Sequence, residues 1–245
     1  MIKAQLLTTC LIDSFFPQTA QAVLMVLASA GVELHVPDKQ TCCGQPAFNG
    51  GLWDEAARLA RRTIEIFDQE PDLPVIIPSG SCAGMVRHSY LELFRDQPGW
   101  AARARRLADR TYELTEFLCE KTSFIAPESL SRVQAAYHAS CHLARGLGVK
   151  DQPLHLMHRL APQGFSSLPM DCCGFGGVFS VEYPSISEAI LSRRLDQIQV
   201  IDPQFVIACD VSCLMQIEGG LRKRGSQIRC SHIAMPLAGR EPGLR

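Results

Sequence analysis

Eight cysteines fall into two sets of nearly the same spacing: Cys10, the pair Cys42-Cys43 and Cys82, then Cys141, the pair Cys172-Cys173 and Cys213. An offset of 131 residues carries Cys10 onto Cys141 and Cys82 onto Cys213, and an offset of 130 carries pair onto pair. Thiolate sulfur is a soft donor that suits iron–sulfur clusters or zinc. Adjacent cysteines strain the chelate ring on a single tetrahedral ion, but on a polynuclear centre they can reach different metal atoms. A glycine, Gly44 or Gly174, follows each pair, so the chain can turn sharply and approach an inorganic core closely. The spacing therefore predicts a duplicated metal-binding protein.

Other residues border these sets. His138 and His142 bracket Cys141 and are candidates to bond cluster sulfur, ligate metal or move protons. Gln45 and Asn49 follow the first pair and could tune a bound centre through hydrogen bonds, and Arg145 could offset its negative charge. Cys119 and Cys230 sit in apolar-patterned stretches and read as core, whereas His35, His88, His155 and His158 show no ligand spacing. No Ser-His-Asp or paired-carboxylate constellation stands out, and no catalytic residue is assigned. Gly174-Phe-Gly-Gly177 lacks the strand and helix context of a nucleotide loop, and no flavin or nicotinamide fingerprint is found. A protein of this kind would pass electrons rather than bind an organic substrate itself.

The 245 residues, 47% hydrophobic and 20% charged, allow a substantial core and argue against extended disorder. A net charge of −1 gives no reason to expect nucleic-acid binding. The local cluster Arg103, Arg105, Arg106 and Arg110 reads as a solvated helix face. No signal peptide and no apolar run of the roughly 20 residues needed to span a bilayer is visible. A cytoplasmic location is expected, where cysteine clusters mean metal or redox chemistry rather than disulfides.

The elements that must hold these residues also repeat. Leu6–Cys10 and Ala136–Cys141 each read as a strand running into a cysteine loop, as do Pro74–Cys82 and Phe205–Cys213. Helices are predicted from about Thr19 to Ser29, Trp53 to Asp68 and Ala83 to Phe94, the last starting at the cysteine, with strands at Glu33–Val36 and Val75–Ile77. Tyr112–Leu118 and Ser231–Leu237 each read as a strand entering a terminal helix, and Asp96–Gly99 as a turn. The expected fold is α/β: two tandem half-domains, residues 1–124 and 132–245, related by a pseudo-twofold axis, with parallel sheets flanked by helices. Lys121–Ser131 is the link. Ligands of such sheets bind at the carboxyl ends of the strands, where the cysteine loops fall.

The pattern resembles the CCG cysteine-rich domain family, and within it the lactate-utilisation protein A group. The resemblance rests on Gln40–Asn49, Pro78–Cys82, His138–His142, Cys172–Gly177 and Asp210–Met215, and covers nearly the whole chain. It is also similar to the cysteine-rich polypeptide of heterodisulfide reductase and to the iron–sulfur subunit of glycolate oxidase. The resemblance implies iron–sulfur clusters, one or two of the [4Fe–4S] type, on the eight repeated cysteines. It implies electron transfer in a cytoplasmic system oxidising L-lactate to pyruvate, with a ferredoxin-like iron–sulfur subunit and a third small subunit as partners. Lactate is favoured over glycolate because dense Cys-x-x-Cys-x-x-Cys runs are absent.

One departure from the family pattern matters. Ser79 and Asp210 occupy the position three residues before the last cysteine of each set, where the family has another cysteine. Four thiolates still satisfy a cubane cluster or a four-cysteine zinc site. Disulfide-reducing chemistry at a five-cysteine centre is an alternative that this departure disfavours, and a zinc-stabilised, redox-silent assembly module is another. Cys209 stands beside the missing position and is read either as a substitute ligand or as core.

Overall fold

Short segments, apolar in the inner strands Val75–Ile77, Ala135–Tyr137 and Phe205–Ala208, give the sheets of the computed structural model, which describes residues 1–244. The first half contains β1 (Ile2–Leu6), β2 (Val32–His35), β3 (Val75–Ile77) and β4 (Thr111–Glu113), and the second β5 (Ala135–Tyr137), β6 (Ser166–Ser167), β7 (Phe205–Ala208) and β8 (Arg229–His232). The sheets have the orders β2-β1-β3-β4 and β6-β5-β7-β8, and every pairing is parallel. Parallel pairing requires crossovers, which the helices supply.

In the first half these are α1 (Cys10–Phe15), α2 (Pro17–Ser29), α3 (Gln45–Asn49), α4 (Trp53–Phe67), α5 (Gly80–Gly84), α6 (Tyr90–Leu93), α7 (Pro98–Asp109) and α8 (Leu114–Lys121). A π-helical turn, Met85–Ser89, joins α5 to α6. The second half has a π-helical turn at His142–Leu147, then α9 (Asp151–Leu160), α10 (Phe179–Glu182), α11 (Pro184–Ile201), α12 (Val211–Lys223) and α13 (Ala234–Leu237). The two tandem α/β units with parallel sheets agree with the sequence expectation. Strand β2 starts and ends one residue earlier than predicted. The helix predicted from Ala83 instead starts at Gly80, before Cys82, because the Ser79 hydroxyl accepts the Cys82 amide at its amino end. Pro98, placed in a turn by the sequence, opens α7, where its fixed φ suits a first helical position.

The halves exchange segments. Ile12 and Phe16, just after Cys10, pack in the second half among Val206, Leu214 and Ile217. Reciprocally, Leu147 of the second half packs against the cluster around Cys43 and Tyr90, and α13 lies on α2 as α8 lies on α9. A third core joins Leu6, Val23 and Phe117 to Tyr137, Met157 and Ile233. The linking segment is anchored too: Leu130 is buried and its amide donates to Leu160 at 2.8 Å.

The arginine cluster differs from the solvated face expected of it. Arg103 Nε donates to Asp68 at 2.8 Å, and Arg106 and Arg110 stand 3.9 Å from the same carboxylate. Arg110 also donates to the Phe67 carbonyl at 2.8 Å, so the cluster ties α7 to the end of α4. Arg105 alone of the four has no such partner among the described residues.

Candidate metal centres

In each sheet the chain winds one way from the first central strand and the other way from the second, opening a crevice at their carboxyl ends. Cys10 follows β1 and Cys82 follows β3, so both stand at this crevice, and the Cys42-Cys43 loop arrives beside them from β2. The second set is built alike, with Cys141 after β5, Cys213 after β7 and Cys172-Cys173 after β6. The fold thus brings each predicted set of four together.

Within each set the thiols lie close enough to shift one another's acidity. Cys42 is pushed well below the usual thiol range by hydrogen bonds from Cys10 and Cys43, helped by the Gly44 amide 3.4 Å away. Cys172 is lowered in the same way by Cys141, Cys173 and the Gly174 amide at 3.3 Å. The donors are correspondingly raised: Cys10 and Cys43 by their bonds to Cys42, and Cys141 and Cys173 by theirs to Cys172. Cys173 Sγ lies 3.1 Å from Cys213 Sγ. In each set the other thiols thus favour the thiolate form of one cysteine, and four sulfurs together make a donor set suited to a thiolate-bound centre.

The glycines after the pairs take left-handed φ values, 91° at Gly44 and 86° at Gly174, as the predicted sharp turn requires. They also approach protein closely. A Cβ on Gly174 would stand 2.6 Å from the Ser187 carbonyl of α11, and on Gly44 3.2 Å from the Ala56 carbonyl of α4.

The bordering residues divide. His142 links the halves, with Nδ1 3.7 Å from Cys141 Sγ and Nε2 3.2 Å from Gln45 Nε2. His138 is fully buried, and one of its ring nitrogens groups with Cys173 and Cys213 Sγ, all three within 4.8 Å of one another. Burial, with Arg194 nearby, lowers its pKa to about 3, so the imidazole is neutral and has a free lone pair. Asn49 and Arg145 are exposed. Cys209 is wholly buried, its thiol 3.7 Å from the Tyr137 hydroxyl in the core shared by the halves, which supports its core reading over a substitute ligand. Cys230 is core as expected, and the half-buried Cys119 packs at its edge.

Two further residues were assigned no site role from the sequence. Arg194 is completely buried, donates to the Pro169 and Asp171 carbonyls, and leaves Nε and Nη1 without partners. Its signal was position: it falls on the inner face of α11 with Ser187, Leu195 and Ile198. Tyr90, also fully buried, donates to the Cys43 carbonyl at 2.8 Å. Beside the first set lies a cavity of about 310 Å³, walled by Cys10, Pro46 and Cys82 from one half and Phe175, Val178 and Val181 from the other.

The CCG cysteine-rich domain model matches this chain twice, at residues 4–87 and 135–218. The chain is 41% identical to Lactate utilization protein A 2 of Bacillus cereus and to Lactate utilization protein A 1 of Bacillus anthracis, over 97% of its length and 98% of theirs. It is 39% identical to Lactate utilization protein A of Bacillus licheniformis, over 98% of this chain and all of that one. The crystal structure of a hypothetical protein from Helicobacter pylori superposes with a TM-score of 0.62 at 9% identity, covering 96% of this chain and 48% of that one. That likeness is one of fold, and this chain spans about half the length of the Helicobacter protein. Two copies of the domain, together with near-complete overlap at this level of identity, place the chain in the lactate utilization protein A family of CCG cysteine-rich proteins.

Proposed function

We propose that this protein is an iron–sulfur electron-transfer subunit of a cytoplasmic, multi-subunit system that oxidises L-lactate to pyruvate. The observation that carries the reading is the convergence of four thiols at each sheet crevice, in a chain whose relatives are named for lactate utilization. Cys10, Cys42, Cys43 and Cys82 would hold one centre, and Cys141, Cys172, Cys173 and Cys213 the other. When bound, [4Fe–4S] centres supply one-electron redox chemistry.

The chain's own residues set the conditions for it. The Gly44 and Gly174 amides donate to ligand sulfur and favour the reduced state. Leu7 packs in the core beside Cys43, and Phe16 and Leu168 in the core beside Cys173, giving the inner side of each set an apolar wall. With no organic cofactor motif in the sequence, lactate itself would be oxidised on a partner, with a ferredoxin-like subunit and a third small subunit completing the system. The duplicated units divide between residues 124 and 132.

The disulfide-reductase reading loses support because Ser79 and Asp210, standing where a fifth cysteine would be, are hydrogen-bonded to each other. The test is metal and acid-labile sulfide content, with a visible spectrum, on protein purified without oxygen. Brown protein with roughly eight iron atoms and eight sulfides per chain supports two four-iron centres. Colourless protein holding zinc overturns the electron-transfer reading in favour of a structural module.

A further inference from the structure

The duplicated halves can be superposed residue by residue through their hydrogen bonds, and at one place their chemistry departs. The amide of Leu7 donates to the Ile76 carbonyl at 3.0 Å, and that of His138 to the Ile207 carbonyl at 2.8 Å. Both pairs are related by the 131-residue offset that relates Cys10 to Cys141. Leu7 and His138 are thus the same position, one residue beyond the first central strand, and both are buried. The first half puts a hydrocarbon there and the second an imidazole.

Neither ring nitrogen of His138 has a hydrogen-bond partner. An unpaired imidazole in a dry interior is costly, and a side chain of leucine's kind fills the same place in the other half at no such cost. One ring nitrogen and the Sγ atoms of Cys173 and Cys213 lie within 4.8 Å of one another. A second difference adds to the first. The same offset places Arg194 on Thr63, so the second set has a buried guanidinium with two unpartnered nitrogens where the first has a hydroxyl bonded to its own helix.

We infer that His138 is a nitrogen ligand of the second centre in place of one thiolate of its set, Cys141 or Cys172, with Cys173 and Cys213 its nearest co-ligands, and that the second centre consequently has the higher reduction potential of the two. A neutral imidazole donates less negative charge than a thiolate, and a buried guanidinium favours the electron-rich state; both raise the potential. The inference rests on the reading that both cysteine sets hold iron–sulfur centres.

The test uses the full chain purified without oxygen, with pulsed electron paramagnetic resonance on the reduced protein and a potentiometric titration. Wild-type protein grown on 15N-histidine should show a 15N coupling to one of two centres, the one reduced first. The coupling should persist in His142→Gln and vanish in His138→Leu, and in the latter variant only the upper reduction step should move, to lower potential. Should His138→Leu fail to fold, the labelled wild type decides alone. Iron-replete wild type without histidine coupling, or a His138→Leu variant with coupling and potentials unmoved, overturns the ligand assignment while leaving the electron-transfer reading intact. Wild-type protein without iron overturns both.

Discussion

Ser79 donates its hydroxyl to Asp210 at 2.8 Å, and these two residues occupy the same position in the two halves, three places before Cys82 and Cys213. Both are buried. The same Asp210 oxygen accepts the Ser81 amide at 3.0 Å, and its other oxygen accepts the Ser140 hydroxyl. The two positions that depart from the cysteine pattern thus meet across the pseudo-twofold axis and tie the halves together. Asp210→Ala removes the acceptor of the Ser140 hydroxyl, the Ser81 amide and the Ser79 hydroxyl, the last keeping only Ser81 Oγ and the Cys82 amide as partners, and should cost about 2–4 kcal/mol in urea unfolding. In a double-mutant cycle, Ser79→Ala should cost much less in the Asp210→Ala background than alone.

Gly174 has no room for a side chain. Gly174→Ala combines a left-handed backbone with a carbonyl 2.6 Å from the new Cβ, so α11 must move away from the cysteine pair. The expected loss is about 3 kcal/mol or more, with bound metal falling at the second set. Gly99→Ala, at an open position in α7, should be nearly neutral by the same calorimetric comparison.

The thiols of metal-free protein should differ in reactivity. Cys42 and Cys172 are held as thiolates by their neighbours, whereas Cys10 and Cys141 are raised. Brief alkylation at pH 6, read by peptide mass spectrometry, should label Cys42 and Cys172 first. Labelling led by Cys10 and Cys141 would contradict the bonding direction within the sets.

Glu113, wholly buried at the end of β4, has its pKa pushed up to about 8 by burial, against hydrogen bonds from Thr115 that lower it. The carboxyl is therefore neutral in the folded protein across a range where it ionises in the unfolded chain. Its contribution to stability is complete below about pH 4.5, diminishes as pH rises, and is lost through pH 8. Melting of the metal-free protein should fall by roughly 5–10 °C over this range from this group, and Glu113→Gln should flatten the decline.

The duplication, the parallel sheets and the convergence of eight cysteines were legible because each follows from local pattern: an offset in a rare residue, and short β runs alternating with helical periodicity. The pairing of Ser79 with Asp210 was not. Each was visible as a departure from cysteine, but their meeting depends on how two sheets 131 residues apart in sequence face one another. Arg194 was hidden for another reason. A charged residue in a helix is ordinarily read as exposed, and its burial follows from backbone carbonyls at Pro169 and Asp171 that no side-chain pattern announces. The exchange of Ile12 and Phe16 into the opposite half was likewise unreadable from apolar periodicity, which says that a face is buried but not against what.

The seating of α13 on α2 also bears on the order of events during synthesis. Val23, Val26 and Leu27 share a core with Ile233, Ala234 and Leu237, so this shared interior is unfinished until the second half has been made. At ribosomal speed the intervening stretch of roughly 200 residues takes roughly 10–40 s. Once made, Cys10, Cys42, Cys43 and Cys82 belong for most of that interval to a nascent chain whose surface under α13 is still uncovered. The thiols of the first set therefore wait on the ribosome while the second half is made, and depend on a reducing environment over that time.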